Sequence, residues 1–336
     1  MQPTAAALAT IVAESNSQAL SPWIKEHGTS VHNLLHHFSN NSATIIGQPL
    51  DAQFWDLACR NNFLISTMLA VSACHLRHHT PNPAPHYIAE LGQESVAISV
   101  LKSAIALPLH KEHADALLFT AVMLNAVTFA FVESLVPSTS WVFSNSPDRL
   151  GWLDLQLQFK RLEEVTSQFR DSSLIPPILN EADSQAPHSG HTDDVAFDQL
   201  PAAWKMLIAG KDTHNYRVCR KPLLALAKLK FLEPNCHNSF AYFGLIKELE
   251  GGFRNLLFEK DPPALWIFGY WLGLLGRLDI WWCSRRVERD WAAVLSFLRE
   301  KELTQCPGDE GGMWQSLISE LSLASEWPPQ HTENVV

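Results

Sequence analysis

The sequence predicts an all-α protein, a multi-helix composite bundle. Apolar residues recur at helical spacing in one segment after another, and no convincing run alternates with the period of a strand. Proline and glycine fall between the helical patterns rather than inside alternating ones. A long uncharged stretch within Asp261–Arg286, DPPALWIFGYWLGLLGRLDIWWCSRR, is apolar nearly all round, so other helices must cover it on every side. Asp261 is placed to cap this helix and Pro262 suits its first turn. Arg285 and Arg286 are expected at its C-terminal end, where the helix dipole favours cations.

Taken in order, residues 1–30 read as an N-terminal arm with a short helix, ending at Gly28-Thr29-Ser30. Val31, Leu34, Leu35 and Phe38 mark the first apolar stripe. Phe63 to His79 follows as a strong helix whose Ser66, Ala70, Ala73 and Cys74 permit close approach by a neighbour. TPNPAP stops it at 80–85. Tyr87 to Leu107 and Ala114 to Glu133 resume helical spacing, and Pro137–Ser140 is a loop that Trp141 and Phe143 are expected to anchor. A further helix runs from Pro147 or Asp148 to about Phe169. The stretch 171–200 is rich in Pro, Asp, Ser and His and reads as a polar insert. Helices are then expected around Ala202–Leu207, Pro222–Leu229, Phe240–Phe258, Trp291–Leu303 and Met313–Trp327, with 329–336 a tail. Neither side of the insert looks able to cover its own apolar helices, so one composite domain is expected over 31–328.

Composition narrows function. The 336 residues are 46% hydrophobic with 12 tryptophans, enough for a sizeable core, and only 18% are charged. A formal charge of −10 opposes long-range attraction to a phosphate backbone, so no direct nucleic-acid binding is expected. Arg285, Arg286 and Arg289 are the densest basic group, interrupted by Glu288 and Asp290. The six cysteines, Cys59, Cys74, Cys219, Cys236, Cys283 and Cys306, form no CxxC pair and suit buried thiols in a reducing compartment. The start lacks the features of a secretory signal, and a nuclear or cytoplasmic location is expected. Ala116 to Val132 and the stretch after Asp261 are short for a membrane span and read as buried helices.

Catalytic motifs are missing: no GxSxG elbow, glycine-rich phosphate loop or HExxH is present, and neither a cofactor nor catalytic residues are assigned. His75, His78 and His79 share a helical face at i, i+3 and i+4, but no carboxylate or cysteine supports them as ligands. Histidines at a helix C-terminus are favoured without a metal, and none is expected. His36 and His37 are adjacent and point apart. His113 and Asp115, two apart on a helix, do not face each other. Trp266, Tyr270, Trp271, Trp281 and Trp282 are candidate walls for an apolar ligand, with Arg277 and Asp279 as its polar end. The same residues also read as plain core, with the two charges paired or reaching the surface.

The stretches LLHHFSN (34–40), FLISTMLAVSACHLRHHTP (63–81), HADALLFTAVMLNAVTFAF (113–131), PPALWIFGYWLGLLGRLDIWW (262–282) and the closing SEWP (325–328) resemble the regulatory domain of fungal zinc-cluster transcription factors. The resemblance is narrowest to the subgroup containing the sterol-uptake regulators. It implies an all-α interaction or ligand-responsive domain, commonly dimeric, attached to a zinc cluster that reads DNA. That cluster needs six closely spaced cysteines, and none precedes Val31. The resemblance therefore implies a transcriptional regulator that leaves DNA reading to a partner protein or a second copy. It also leaves open a protein that binds a sterol, terpenoid or polyketide, or an enzyme recruited to fungal secondary metabolism.

Overall fold

A computed structural model describes residues 18–47, 50–106, 109–172, 197–209, 213–235, 238–249 and 252–329, and every regular element among them is helical. Most of the polar insert, part of the N-terminal arm and most of the tail lie outside the described residues. Contacts divide the chain into two compact units. Unit 1 takes 1–131 and 159–176; unit 2 takes 132–158 and 177–336.

Unit 1 holds α1 (Pro22–His27), α2 (Val31–Ile46), α3 (Ala52–Arg60), α4 (Asn62–His79), α5 (Ala84–Ile105) and α6 (Lys111–Ala130). Polar caps start the early helices, with Ser21, Ser30 and Asp51 accepting from the third residue onward. The unit is built around α4, which packs on α5, α6, α2 and α3 and is buried on nearly every face. Two of its buried hydroxyls are satisfied inside: Thr67 donates to the Phe63 carbonyl at 2.7 Å and Ser72 to the Leu34 carbonyl of α2 at 2.7 Å. Arg77 of α4 and Glu90 of α5 form a buried ion pair, Nε to Oε2 at 2.5 Å and NH2 to Oε1 at 3.0 Å. Among the described residues α6 is the one helix long and apolar enough to cross a membrane by composition. Yet 67% of its His113–Ala130 window is buried inside the protein.

Unit 2 opens with a 3₁₀ turn, Pro137–Thr139, and the first part of α7 (Gly151–Thr166), within which the boundary falls. After the insert come α8 (Ala202–Ala209), α9 (Thr213–Leu229), α10 (Ser239–Glu248), α11 (Phe253–Phe258), α12 (Pro262–Leu275), α13 (Trp281–Glu300) and α14 (Asp309–Ser322). The helix expected from Pro222 begins earlier, at Thr213, and carries Pro222 in its interior.

The tryptophan-rich stretch is not one helix. Asp261 caps α12 through the Ala264 amide at 3.0 Å, as its position suggests. The chain then leaves the helix at Gly276, where Arg277 and Leu278 bond three residues back, to Leu274 and Leu275, in tightened turns. Arg285 and Arg286 therefore lie in the early turns of α13 rather than at the end of α12.

Every residue from Ala264 to Leu275 is buried, against α9, α10, α11, α13 and α14. Residues from before the insert join the cover: Trp141 meets the Phe268 ring edge-on at 5.8 Å and Trp152 approaches it at 6.2 Å. Ser140 donates to the buried Asp290 at 2.7 Å, and Arg289 reaches the same oxygen at 2.7 Å. Arg286 lies 4.2 Å over the Trp152 ring, and burial lowers its pKa to about 10. Two of the three arginines read as a basic group are thus inside the unit, neutralising Asp290.

Two glycines let α12 sit close to its neighbours. A Cβ on Gly269 would fall 2.6 Å from Val294 Cγ1, and one on Gly273 would fall 2.5 Å from Ala324 Cβ. Gly273→Ala is accordingly expected to destabilise by about 1 to 2 kcal/mol, because overpacking outweighs the better helix propensity of alanine. Gly244 in α10 has open space at the same atom, so Gly244→Ala is expected to stabilise by about 0.5 to 1 kcal/mol. Urea unfolding of the two variants checks the opposite signs.

Candidate functional site

The residues singled out along the tryptophan-rich stretch part company in the structure. Trp266 and Tyr270 stack at 5.0 Å, and Trp204 of α8 meets their rings edge-on at 5.2 and 5.3 Å. The Trp266 indole donates to the Leu317 carbonyl at 2.7 Å, whereas Trp271 faces another way and donates to the Tyr242 carbonyl at 2.8 Å. Trp282 stacks on Phe243 at 4.8 Å, Trp281 is half-buried and Asp279 is exposed. Arg277 donates to the carbonyls of Ala324 and Lys230, both at 2.8 Å.

Glu320 is a polar partner of this aromatic group that was not singled out in the sequence. It accepts from Lys230 at 2.5 Å and from the Trp204 indole at 2.8 Å. Burial, with the adjacent Glu320 charge, pushes the Tyr270 phenol far above its ordinary range. Lys230 and Glu320 lie 90 residues apart, so no local spacing announces the pair. Packed rings with satisfied N–H groups make this region a core that holds helices together.

A solvent-open cleft of about 440 Å³ lies in unit 1, lined by Thr29, Asn33, His36, His37, Asn40, Asn41, Leu76 and His86. The helical repeat of α2 places Asn33, His36, His37 and Asn40 on neighbouring faces. The end of α4 supplies Leu76, and α5 supplies His86, which bonds Thr29 Oγ1 at 2.6 Å. Behind the wall, His37 Nε2 meets His75 Nδ1 at 3.0 Å, and the His75 and His79 rings lie 4.4 Å apart. His36 and His37 do diverge: His36 is exposed and pairs with Asn40, and His37 turns inward. Sequence reading weighed His75, His78 and His79 as one set and missed the pairing of His75 with His37, which the 38-residue separation hides. Among the described residues no group of three or more His, Cys, Asp or Glu side chains could hold a metal ion.

Protonation is disfavoured here. Burial, followed by the neighbouring imidazoles His79, His37 and His78, lowers His75 to about 4. Burial also lowers His37 and His86, with His86, His79 and His36 adding to the effect on His37. One nitrogen of the His37–His75 contact must accept, and protonating both rings would set two donors face to face. The lining offers amides, imidazoles and a hydroxyl as donors and acceptors, with no carboxylate among them.

A pH dependence follows with a definite sign. His75 titrates at about 4 in the fold against an ordinary 6.5, so the unfolded chain takes up the proton first. The stability it contributes is complete above about pH 6.5 and falls away as pH drops toward about 4. Between about pH 7.5 and pH 5 the loss from this group is on the order of 2 kcal/mol. Urea midpoints at the two pH values check it, and His75→Gln is expected to flatten the difference.

Fold and cleft define an all-helical chain with an imidazole- and amide-lined cleft. Comparison with models of protein families, with curated proteins and with solved structures found no match.

Proposed function

We propose that the chain is a transcriptional regulatory domain of the fungal zinc-cluster type that reads DNA through a partner and responds to a neutral small molecule. One observation carries this reading. Two of the stretches that bear the resemblance, 34–40 and 63–81, frame the cleft together, supplying His36, His37, Asn40 and Leu76. Amides, imidazoles and a hydroxyl around one leucine suit a ligand bearing hydroxyl or carbonyl groups, oriented by a few polar contacts. The negative formal charge and the burial of Arg286 and Arg289 favour a partner for DNA reading.

The chain fused to an unrelated DNA-binding domain tests this directly. Reporter transcription is expected to change severalfold, and Asn33→Ala with Asn40→Ala is expected to alter that response while the protein stays folded. A reporter indistinguishable from the DNA-binding domain alone would remove the regulatory reading. A tight sequence-specific gel shift by the isolated chain would remove the partner.

A further inference from the structure

We propose that Arg149, Lys260 and Lys301 form a site in unit 2 for a phosphate monoester. The three come from separate parts of the chain: the turn before α7, the junction of α11 with α12, and the end of α13. Two aromatic rings gather them. The Arg149 guanidinium sits 3.6 Å over the Phe258 ring, and Lys260 and Lys301 approach the Phe297 ring at 5.9 and 5.2 Å. Phe143 stands edge-on to Phe297 at 6.0 Å.

None of the three cations forms an ion pair with a carboxylate of the described residues. Arg149 donates to the carbonyls of Ser146 and Phe258, and its Nε has no hydrogen-bond partner. Among the described residues the Lys260 ammonium donates to the Asn145 amide oxygen, at 3.2 Å. Glu259, Glu300 and Glu302 flank the lysines in sequence but are exposed and pair with neither, and the Asp154 carboxylate is taken by Arg254. Like charges gathered without an ion-paired carboxylate repel one another, and a dianion among them relieves that repulsion. Burial, then Arg149 and Lys301, lowers the Lys260 pKa in agreement with this crowding.

The backbone adds an independent observation. Lys260 has φ 59°, in the left-handed region, where it closes α11 with its amide on Leu257 O and the Asp261 amide on Leu256 O. Glycine is the residue that adopts this closing position without strain, and lysine holds it with backbone strain. A lysine kept in a strained position at a cluster of unpaired cations is accounted for by a ligand. The rings beside the charges suit an organic ester over a bare ion. Three cations on a chain of net charge −10 suit a small dianion over a polyanion.

Calorimetric titration of the full chain with phenyl phosphate and with inorganic phosphate, at low chloride, tests the site. Saturable binding of both is expected, tighter for phenyl phosphate. Affinity is expected to fall by about tenfold or more in K260M/K301M, since charge-assisted hydrogen bonds dominate such sites. Both ligands should also raise the melting temperature of the native chain and leave that of the variant unchanged. If the double variant fails to fold, the exposed K301M alone decides, with an expected loss of about threefold or more. Absence of saturable binding, or undiminished binding in the folded variant, would overturn the proposal. So would duplex DNA binding that needs both lysines in a chain that ignores phenyl phosphate.

Discussion

Replacing Glu90 with glutamine is expected to destabilise unit 1 by about 3 to 5 kcal/mol, because it leaves the Arg77 charge buried without its partner. The Glu90 side chain is 0% exposed and that of Arg77 8%, so water cannot take over. Burial alone would pull the Arg77 pKa down; the hydrogen bonds and charge of Glu90 outweigh it and leave it raised. The second donor of Arg77 also reaches Cys74 Sγ at 3.7 Å, a weak acceptor that cannot replace a carboxylate. Removing both charges should be milder than removing one: Arg77→Met with Glu90→Leu is expected to recover most of the loss. Urea unfolding of the two variants measures this. A Glu90→Gln midpoint within error of the native chain would mean that Arg77 finds another partner.

Trp266→Ala is expected to cost about 3 to 5 kcal/mol in unit 2. The side chain is fully buried, stacked on Tyr270 and edged by Trp204, so alanine leaves a cavity that rigid neighbours fill poorly. Trp266→Phe separates the two contributions. It keeps an aromatic ring and loses the N–H that satisfies Leu317 O, for an expected loss of about 1 to 2 kcal/mol. Denaturant unfolding followed by circular dichroism ranks the pair. Equal effects would assign the stability to the hydrogen bond and not to the packed ring.

The helices were legible wherever the information is local. Asp261 and Pro262 announce the start of α12 because a cap needs only residues within one turn. The lack of charge between them and Arg277 announces burial because no charged group can go unpaired there. The end of α12 was not legible. Leu278, Trp281 and Trp282 continue an apolar pattern, and the bonds Arg277 makes just past the helix end, to the carbonyls of Lys230 and Ala324, reach residues each 47 positions distant. The same reason hides the cleft. His37 and His75 look like members of two unrelated helix surfaces until α2 is laid against α4. Glu320 of α14 becomes a partner of Trp204 only across 116 residues.

Asp261 belongs to two helices at once. Its amide closes α11 on Leu256 O at 2.9 Å, and its carboxylate opens α12 on the Ala264 amide at 3.0 Å. Only Glu259, Lys260 and Asp261 separate the two, so fraying of one helix is passed to the other through this short joint. When the last turn of α11 loosens, the first turn of α12 loses its anchor, and the central segment of unit 2 senses events at its rim.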